Sequence, residues 1–578
     1  MNNKDENICL LLEFNKESMY FQNPIKIIEA HTIEEVLTAL ENIQKEVNAG
    51  FYAAGYLSYE AAPAFDSAYQ VAEGNKMPLL WFGIFEKFEN QHLTETLTDF
   101  TLTDWQSKTT YKTYKESIQT IKQQIEEGNT YQVNYTLRLN SSFIGDEFSF
   151  YRQLAKAQSS NYSAYLHTGR YKILSASPEL FFDWRKDTLT TRPMKGTVKR
   201  GNSIEQDLEQ QQWLQDSEKN RAENLMIVDL LRNDLGQIAE AGSVFVDRLF
   251  EIEQYPTVWQ MTSTISAKTK PETTIIDLFK ALFPCGSITG APKISTMKII
   301  SELEGTPREV YCGAIGYISP NHEATFNVPI RTVVIDSQEG TAQYGVGGGI
   351  TWDSSFTEEY DEAFLKAALL TTETPDFELL ESLKLENGQY VLLENHLKRL
   401  SNSAKYFGIS LSISTIEAAL EQFANRHETS SKKVRLLVSN TGKFTIEAED
   451  LLPYPDKICN VALAKKSVSS NDLFLYHKTT NRTIYQIHKD QCPTYFDVLL
   501  WNEREEITEF TNGNVVVKID DELVTPALHS GLLAGTFRQE LLQNGTVKER
   551  VVHITELKSA NEIWFINSVR GWVKVNLL

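Results

Sequence analysis

Lys195 stands between Pro193 and Gly196 in Thr191-Arg192-Pro193-Met194-Lys195-Gly196-Thr197-Val198-Lys199-Arg200-Gly201. Neither a long helix nor a central strand accommodates that pairing, so the lysine is expected on turn or edge backbone. Its amine is a nucleophile only where burial or a neighbouring cation lowers its pKa. A basic turn is the alternative, because Arg192, Lys199 and Arg200 crowd the same residues. Glu223 and Glu362 fall in separate expected helices and could share a magnesium ion, which takes a few carboxylates plus water and ligand oxygens. Two solvated acidic faces are the alternative there. Pro284-Cys285-Gly286-Ser287-Ile288-Thr289-Gly290-Ala291-Pro292-Lys293 leads into a helix expected over Ile294–Leu303, a place where backbone N–H groups could meet an anion. Gly345-Val346-Gly347-Gly348-Gly349 would let a ligand approach the main chain. Neither segment has a dinucleotide or Walker pattern, so nucleotide binding is not indicated. In the last third, Lys478, Glu509 and the Gly535-Thr536 helix start supply an amine, an acid and a phosphate-binding N-terminus. Pyridoxal phosphate needs those three groups; three ordinary loops are the alternative.

These residues need elements to hold them. Strand-like runs are expected at Ile8–Phe14, Gly50–Ser58, Leu79–Phe85, Tyr131–Leu139, Tyr171–Ala176, Leu180–Trp184, Cys312–Ile318, Thr325–Val334 and Ala342–Val346. Helices are expected at Ile33–Val47, over 111–127, and from Asp216 to Leu231 with a stop near Asn233 and Gly236. Ser355 with Glu358 has the spacing of a capping box. The pattern is mixed α+β without regular βαβ alternation. A short polar, Pro-containing segment at 372–376 separates residues 1–371 from 377–578. The second part restarts with a strand at Phe377–Leu385, a turn at Glu386-Asn387-Gly388, and helices over 396–407, 414–425 and 535–543.

With 578 residues and 41% apolar content, several globular domains are expected. The net charge of −21 argues against nucleic acid and anionic membrane as partners. Five scattered cysteines without CxxC pairing suit a reducing cytosol better than a disulfide framework. The acidic Met1–Asn7 start is not that of a signal peptide, and no apolar run is long enough to span a membrane, so a cytoplasmic location is expected.

Tyr131-Gln132-Val133-Asn134, Ser177-Pro178-Glu179, Pro193–Thr197, Glu223 through Gly236, Gly286–Lys293, Ile330-Arg331-Thr332 and Gly345–Gly349 occur in one order that resembles the chorismate-utilising enzymes. The resemblance implies a fold of mostly antiparallel sheets packed with helices. Lys195 is similar to the lysine of the aminodeoxychorismate-forming members, where anthranilate synthases carry alanine. It implies that the amine attacks C2 of chorismate, that ammonia then adds at C4, and that Glu179 assists the leaving hydroxyl. It further implies Glu223 and Glu362 as Mg2+ ligands, and Tyr311 and Arg331 as the grip on the enolpyruvyl carboxylate. Gln132, Ser287, Gly345 and Gly347 fall at the same substrate pocket; Gln132 stands where water-adding isochorismate synthases carry a lysine. Gln260 stands where many relatives carry histidine, and glutamine cannot titrate. Ser58-Tyr59-Glu60 resembles a segment that binds tryptophan in some relatives. No cysteine lies in a Gly-x-Cys-x-Gly setting, so ammonia is expected from a glutamine amidotransferase partner or as free ammonia.

Residues 377–578 resemble the class IV aminotransferase fold, an α/β domain with a lyase member that acts on aminodeoxychorismate. By that resemblance Lys478 is the Schiff-base lysine and Glu509 the partner of the pyridine nitrogen. Asn514, Gly535, Thr536 and the phosphate-binding Arg399 are the remaining pyridoxal 5'-phosphate contacts. Arg399 points away from the Leu397, Leu400, Ala404 and Phe407 stripe, so a solvated face is its alternative. The usual Glu-Gly-Ser/Thr-Ser run is altered here to Glu509-Phe510-Thr511-Asn512. The joint expectation is synthesis of 4-aminobenzoate, a folate precursor, from chorismate. The rivals are an anthranilate synthase joined to an aminotransferase-like domain, and a C-terminal domain that only binds or regulates.

Overall fold

In Cys9–Phe14, Leu10, Leu12 and Phe14 face one apolar layer and Leu11 the opposite one. A strand apolar on both faces must lie inside a layered structure. The computed structural model bears this out and describes residues 8–90, 98–371, 375–427, 431–451 and 458–578. Met1–Asn7, and Thr372–Thr374 of the expected linker, lie outside the described residues. Two compact units are present: Met1–Lys199 with Gln211–Thr374, and Arg200–Gln210 with Pro375–Leu578.

The first unit holds two ten-stranded sheets, and every named pair in them is antiparallel. One sheet runs through Gln132–Gly145, Thr341–Ile350, Thr332–Asp336, Tyr171–Ser177, Tyr162–His167 and Cys9–Phe14. The other runs from Met194–Lys199 through Val258–Lys268, Thr188–Arg192, Leu180–Arg185, Ala324–Asn327, Ala314–Ile318 and Tyr52–Leu57. Leu10, Leu12, Phe21, Trp81, Phe85 and Ile173 fill the space between them. The helices Ile33–Asn48, Glu218–Ile238 and Ile275–Leu282 cover the second sheet's other face. Tyr111–Glu126, Glu147–Gln158, Lys293–Glu304 and Phe356–Ala367 pack on the first.

Three local expectations are corrected. The run Thr325–Val334 is two strands, Ala324–Asn327 and Thr332–Asp336, one in each sheet. Pro329 cannot donate to a ladder, and Arg331 adopts φ 54°. The helix expected to stop near Asn233 and Gly236 continues to Ile238, because Leu231, Leu235 and Ile238 extend its buried face. That burial outweighs the ~1 kcal/mol penalty of a helical glycine. Ser355 precedes the Phe356–Ala367 helix but makes no cap through its side chain. Instead Ser354 Oγ donates to Glu359 Oε1 at 2.7 Å, and Glu358 is exposed.

The second unit has a four-stranded antiparallel sheet, Gln389–Tyr390, Leu379–Glu386, Lys432–Val438 and Phe444–Asp450, backed by Leu393–Phe407 and Ile413–Asn425. Asn387 and Gly388, at φ 51° and 70°, make the tight turn their types favour. An eight-stranded mixed sheet is centred on Cys459–Leu463, Gly571–Leu577, Glu562–Asn567 and Asn514–Ile519. Among the described residues no helix is long and apolar enough to cross a membrane.

Candidate active sites

Met194–Lys199 is an edge strand, and its ladder with Val258–Lys268 is interrupted between Met194 and Thr197. Gly196 provides the break with φ 93°. Gln260 closes it: Nε2 donates to Gly196 O at 2.8 Å and Oε1 accepts from Thr197 Oγ1 at 2.8 Å. Lys195 is thereby turned into a cavity of about 180 Å³. Glu179, Glu223, Gln260, Ser287, Tyr311, Arg331, Gly345, Gly347 and Glu362 line the same cavity. Gln132 does not line it but lies beneath, fully buried, and neither polar atom of its amide has a partner. Its amide and the Lys195 amine both lie against Gly349, where a Cβ would overlap Gln132 Nε2 and Lys195 Nζ.

The glycines create the room. Gly345 packs against the Tyr311 ring so closely that a Cβ would overlap it. A Cβ on Gly347 would overlap the Tyr135 carbonyl. Arg331 Nη1 donates to Lys366 O at 2.6 Å and Tyr344 Oη donates to the same carbonyl at 3.2 Å, which ties two lining side chains to the end of the Phe356–Ala367 helix. The Gly286–Lys293 loop uses its polar groups inward. Lys293 Nζ donates to Asp234 at 3.0 Å, and Ser287 Oγ donates to Glu179 Oε1 at 2.6 Å.

Burial pushes the Glu179 carboxyl up to about 7, against the Ser287 hydrogen bond and the Lys195 charge. Desolvation pulls the Lys195 amine below the usual lysine value; Lys366 pushes the same way, and Glu223, Glu179 and Glu359 oppose. Lys366 Nζ sits 2.7 Å from Glu362 and holds that carboxyl below its ordinary range. Glu359 and Lys366 also line the cavity and were not singled out from the sequence. Their spacings of three and four residues from Glu362 on one helix were the available signal. Among the described residues no group of three or more His, Cys, Asp or Glu side chains could hold a metal ion. Glu223 and Glu362 are hard oxygen donors lining one cavity, a donor type that fits magnesium completed by water and ligand oxygens.

The second unit has its own cavity of about 870 Å³, lined by Arg399, Lys478, Glu509, Asn514, Gly535 and Thr536. Lys478 has its amine lowered to about 7 by burial, with Arg399 and Arg482 adding to the effect. Glu509 is raised to about 7 by burial, against hydrogen bonds from Tyr485 Oη at 2.8 Å and Leu533 N at 3.1 Å. Asn514 Nδ2 donates to Glu509 Oε2 at 3.1 Å and to Leu533 O at 2.9 Å. Gly535 caps the Thr536–Gln543 helix, and a Cβ there would overlap Asn514 Oδ1. Arg399 does not lie on a solvated face: its side chain is 11% exposed and bound to Glu381 at 2.6 Å. In the altered Glu509–Asn512 run, Thr511 Oγ1 is committed to Asp497 at 2.5 Å. Thr536 and Ser568 also line the cavity and keep their hydroxyls near His396 Nε2; Ser568 was not foreseen from the sequence. A buried amine, a buried acid, an arginine and a helix N-terminus around one cavity fit pyridoxal phosphate.

Ser58 and Glu60 are occupied locally. Ser58 Oγ donates to Pro78 O at 2.9 Å, and Glu60 accepts from Arg308 N at 2.7 Å and Glu309 N at 2.9 Å.

Residues 6–372 match the family model of the chorismate binding enzyme, and residues 378–578 match amino-transferase class IV. Aminodeoxychorismate synthase component 1 of Escherichia coli (strain K12) is 35% identical over 396 residues, 62% of this chain and 86% of that protein. The protein of that name in Klebsiella aerogenes is 43% identical over 268 residues, 46% of this chain. The chain spans only 59% of that relative's length. Anthranilate synthase component I from Streptococcus pneumoniae TIGR4 superposes with a TM-score of 0.54 at 25% identity, over 64% of this chain and 94% of that one. The chain belongs to the chorismate binding enzyme family and carries a class IV amino-transferase domain after the chorismate-binding part.

Proposed function

We propose that this chain makes 4-aminobenzoate from chorismate in two steps, one in each unit. The observation that carries the first step is that Lys195 and Glu179 line one cavity close enough to feel each other's charge, with the amine shifted down and the carboxyl up to about 7. Both groups are neutral together only if a site desolvates them jointly, and a nucleophile and a general acid need those forms. Lys195 Nζ attacks C2 of chorismate while Glu179 gives its proton to the departing 4-hydroxyl, which leaves as water. Ammonia then adds at C4 and expels the Lys195 amine, giving 4-amino-4-deoxychorismate. Glu223 and Glu362 would hold a magnesium ion, which supplies positive charge for the ring carboxylate. Arg331 and Tyr311 orient the enolpyruvyl arm. The ammonia comes from a glutamine amidotransferase partner, a reading supported by the "component 1" in the relatives' name.

In the second unit Lys478, Glu509, Asn514, Gly535, Thr536 and Arg399 would hold pyridoxal phosphate, which supplies an electron sink for the amine-bearing carbon. Lys478, whose amine burial lowers to about 7, takes the proton from that carbon in its neutral form. The neighbouring enolpyruvyl ether bond then breaks, releasing pyruvate and the aromatic product. Glu509 would meet the ring nitrogen of the bound cofactor, and the Tyr485 and Asn514 hydrogen bonds hold its carboxyl in place. Product analysis with chorismate, ammonium and magnesium tests the reading. Wild type should yield 4-aminobenzoate and pyruvate, Lys195→Ala neither, and Lys478→Ala aminodeoxychorismate alone. Anthranilate as the main product, or 4-aminobenzoate from either variant at the wild-type rate, would overturn it.

A further inference from the structure

Glu381, in Leu379–Glu386, and His396, in Leu393–Phe407, are 2% and 1% exposed. Glu381 accepts from Arg399 Nε at 2.9 Å and Nη2 at 2.6 Å, and His396 Nδ1 lies 2.6 Å from its Oε2. Against the penalty of burial, Arg399 and His396 hold the Glu381 carboxyl down at about 2. An ionised carboxylate only accepts, so Nδ1 carries a hydrogen. In a neutral ring the other nitrogen, Nε2, is then an acceptor. Nε2 faces two hydroxyls, Ser568 Oγ at 3.1 Å and Thr536 Oγ1 at 3.3 Å. Both residues line the cavity of Lys478, Glu509 and Arg399.

Burial favours the neutral ring, Glu381 from the neighbouring strand opposes it, and Arg399 on the same helix and Lys478 from the loop beyond it add to the burial effect. While His396 is neutral, the Arg399–Glu381 pair carries no net charge, and the two hydroxyls have their best acceptor in Nε2. A phosphate monoester reverses both conditions. It is close to a dianion at neutral pH and presents acceptor oxygens. Thr536 and Ser568 can donate to it only by turning their oxygen lone pairs toward Nε2, which sets lone pair against lone pair. A second proton on the ring replaces that repulsion with an N–H···O hydrogen bond. The same proton gives the Arg399–Glu381–His396 cluster the net positive charge that a buried dianion needs.

We propose that His396 takes up a proton from solvent when a phosphate monoester enters this cavity, and that it acts as a positioning residue for the Thr536 and Ser568 hydroxyls. The proposal rests on the reading of the cavity as a pyridoxal phosphate site. Pyridoxine 5'-phosphate, which has the ring and phosphate but no aldehyde to engage Lys478, separates the two. It is titrated calorimetrically into the full chain freed of bound cofactor, at about pH 8, in buffers of different ionisation enthalpy. Wild type should take up about one proton more per ligand than His396→Gln, whose amide is a permanent donor near the Nε2 position. Its affinity should also fall about tenfold more per pH unit than that of the variant. Equal uptake and equal slopes overturn the proposal and leave the cofactor reading standing. No binding to folded protein overturns both. Should the variant fail to fold, the imidazole resonances of isotope-labelled wild type decide. One histidine passing to the imidazolium form on ligand addition is expected, and all ten unchanged overturns the proposal.

Discussion

Ser287→Ala gives a quantitative test of the acid in the first unit. Ser287 Oγ donates to Glu179 Oε1 at 2.6 Å, and this is the largest effect holding the Glu179 pKa down against burial. A hydrogen bond to a charged group contributes about 1.5–3 kcal/mol, and one pH unit corresponds to about 1.4 kcal/mol. Removing the donor destabilises only the ionised carboxyl, so its pKa should rise by about one to two units, from about 7 to about 8–9. A water entering the vacated space would put the result at the lower end. Glu179 acts as an acid, so activity is lost as pH rises through its pKa, and the alkaline limb of the rate profile reports it. Lys195 must be neutral to attack, so it governs the acid limb instead. The assay is kcat/KM for chorismate amination against pH, with ammonia fixed as the free base. The alkaline limb should move upward in Ser287→Ala and vanish in Glu179→Gln, the latter with a loss of about 10²–10⁴-fold. A Ser287→Ala limb that stays in place or moves down would refute the assignment of Glu179 as the acid.

Two further substitutions probe the scaffold, one in each unit. Gly349→Ala puts a methyl where Gln132 Nε2 and Lys195 Nζ already lie, so the lysine must shift. Amination should fall about 100-fold, the usual effect of a displacement near 1 Å, while the melting temperature changes little. Asp207→Ala leaves Arg200 without the carboxylate that meets its Nε and Nη2, each at 2.6 Å, with both side chains buried. Stability measured by denaturant unfolding should drop by about 3–5 kcal/mol, and a change below about 1 kcal/mol would contradict the buried pair.

The elements nearest the chemistry were legible where a local rule dominated. Pro193 and Gly196 bar Lys195 from a central strand, and it lies on an interrupted edge strand. The apolar spacing of Tyr114, Ile118 and Ile121 gave the helix Tyr111–Glu126 almost to the residue. Local rules failed where a distant partner outweighed them. Gly236 did not end its helix, because Leu235 and Ile238 find a core on the same face. The capping box at Ser355 is absent, with Ser354 holding Glu359 instead.

The residue types by themselves determined which chemistry was available: two lysines, each with an acid to work with, and glycines where a ligand must come close. The sequence order of those motifs also carried the family. Tertiary structure alone decided the state of each group. The Lys195 amine is pulled down by desolvation and adjusted by Glu179, Glu223, Glu359 and Lys366, which come from three other segments of the chain. Arg399 changes from a candidate surface charge to the partner of buried Glu381 for the same reason. Desolvation and Coulomb interaction depend on distance in space and on the exclusion of water. Spacing along the chain specifies neither until the sheets and helices have packed.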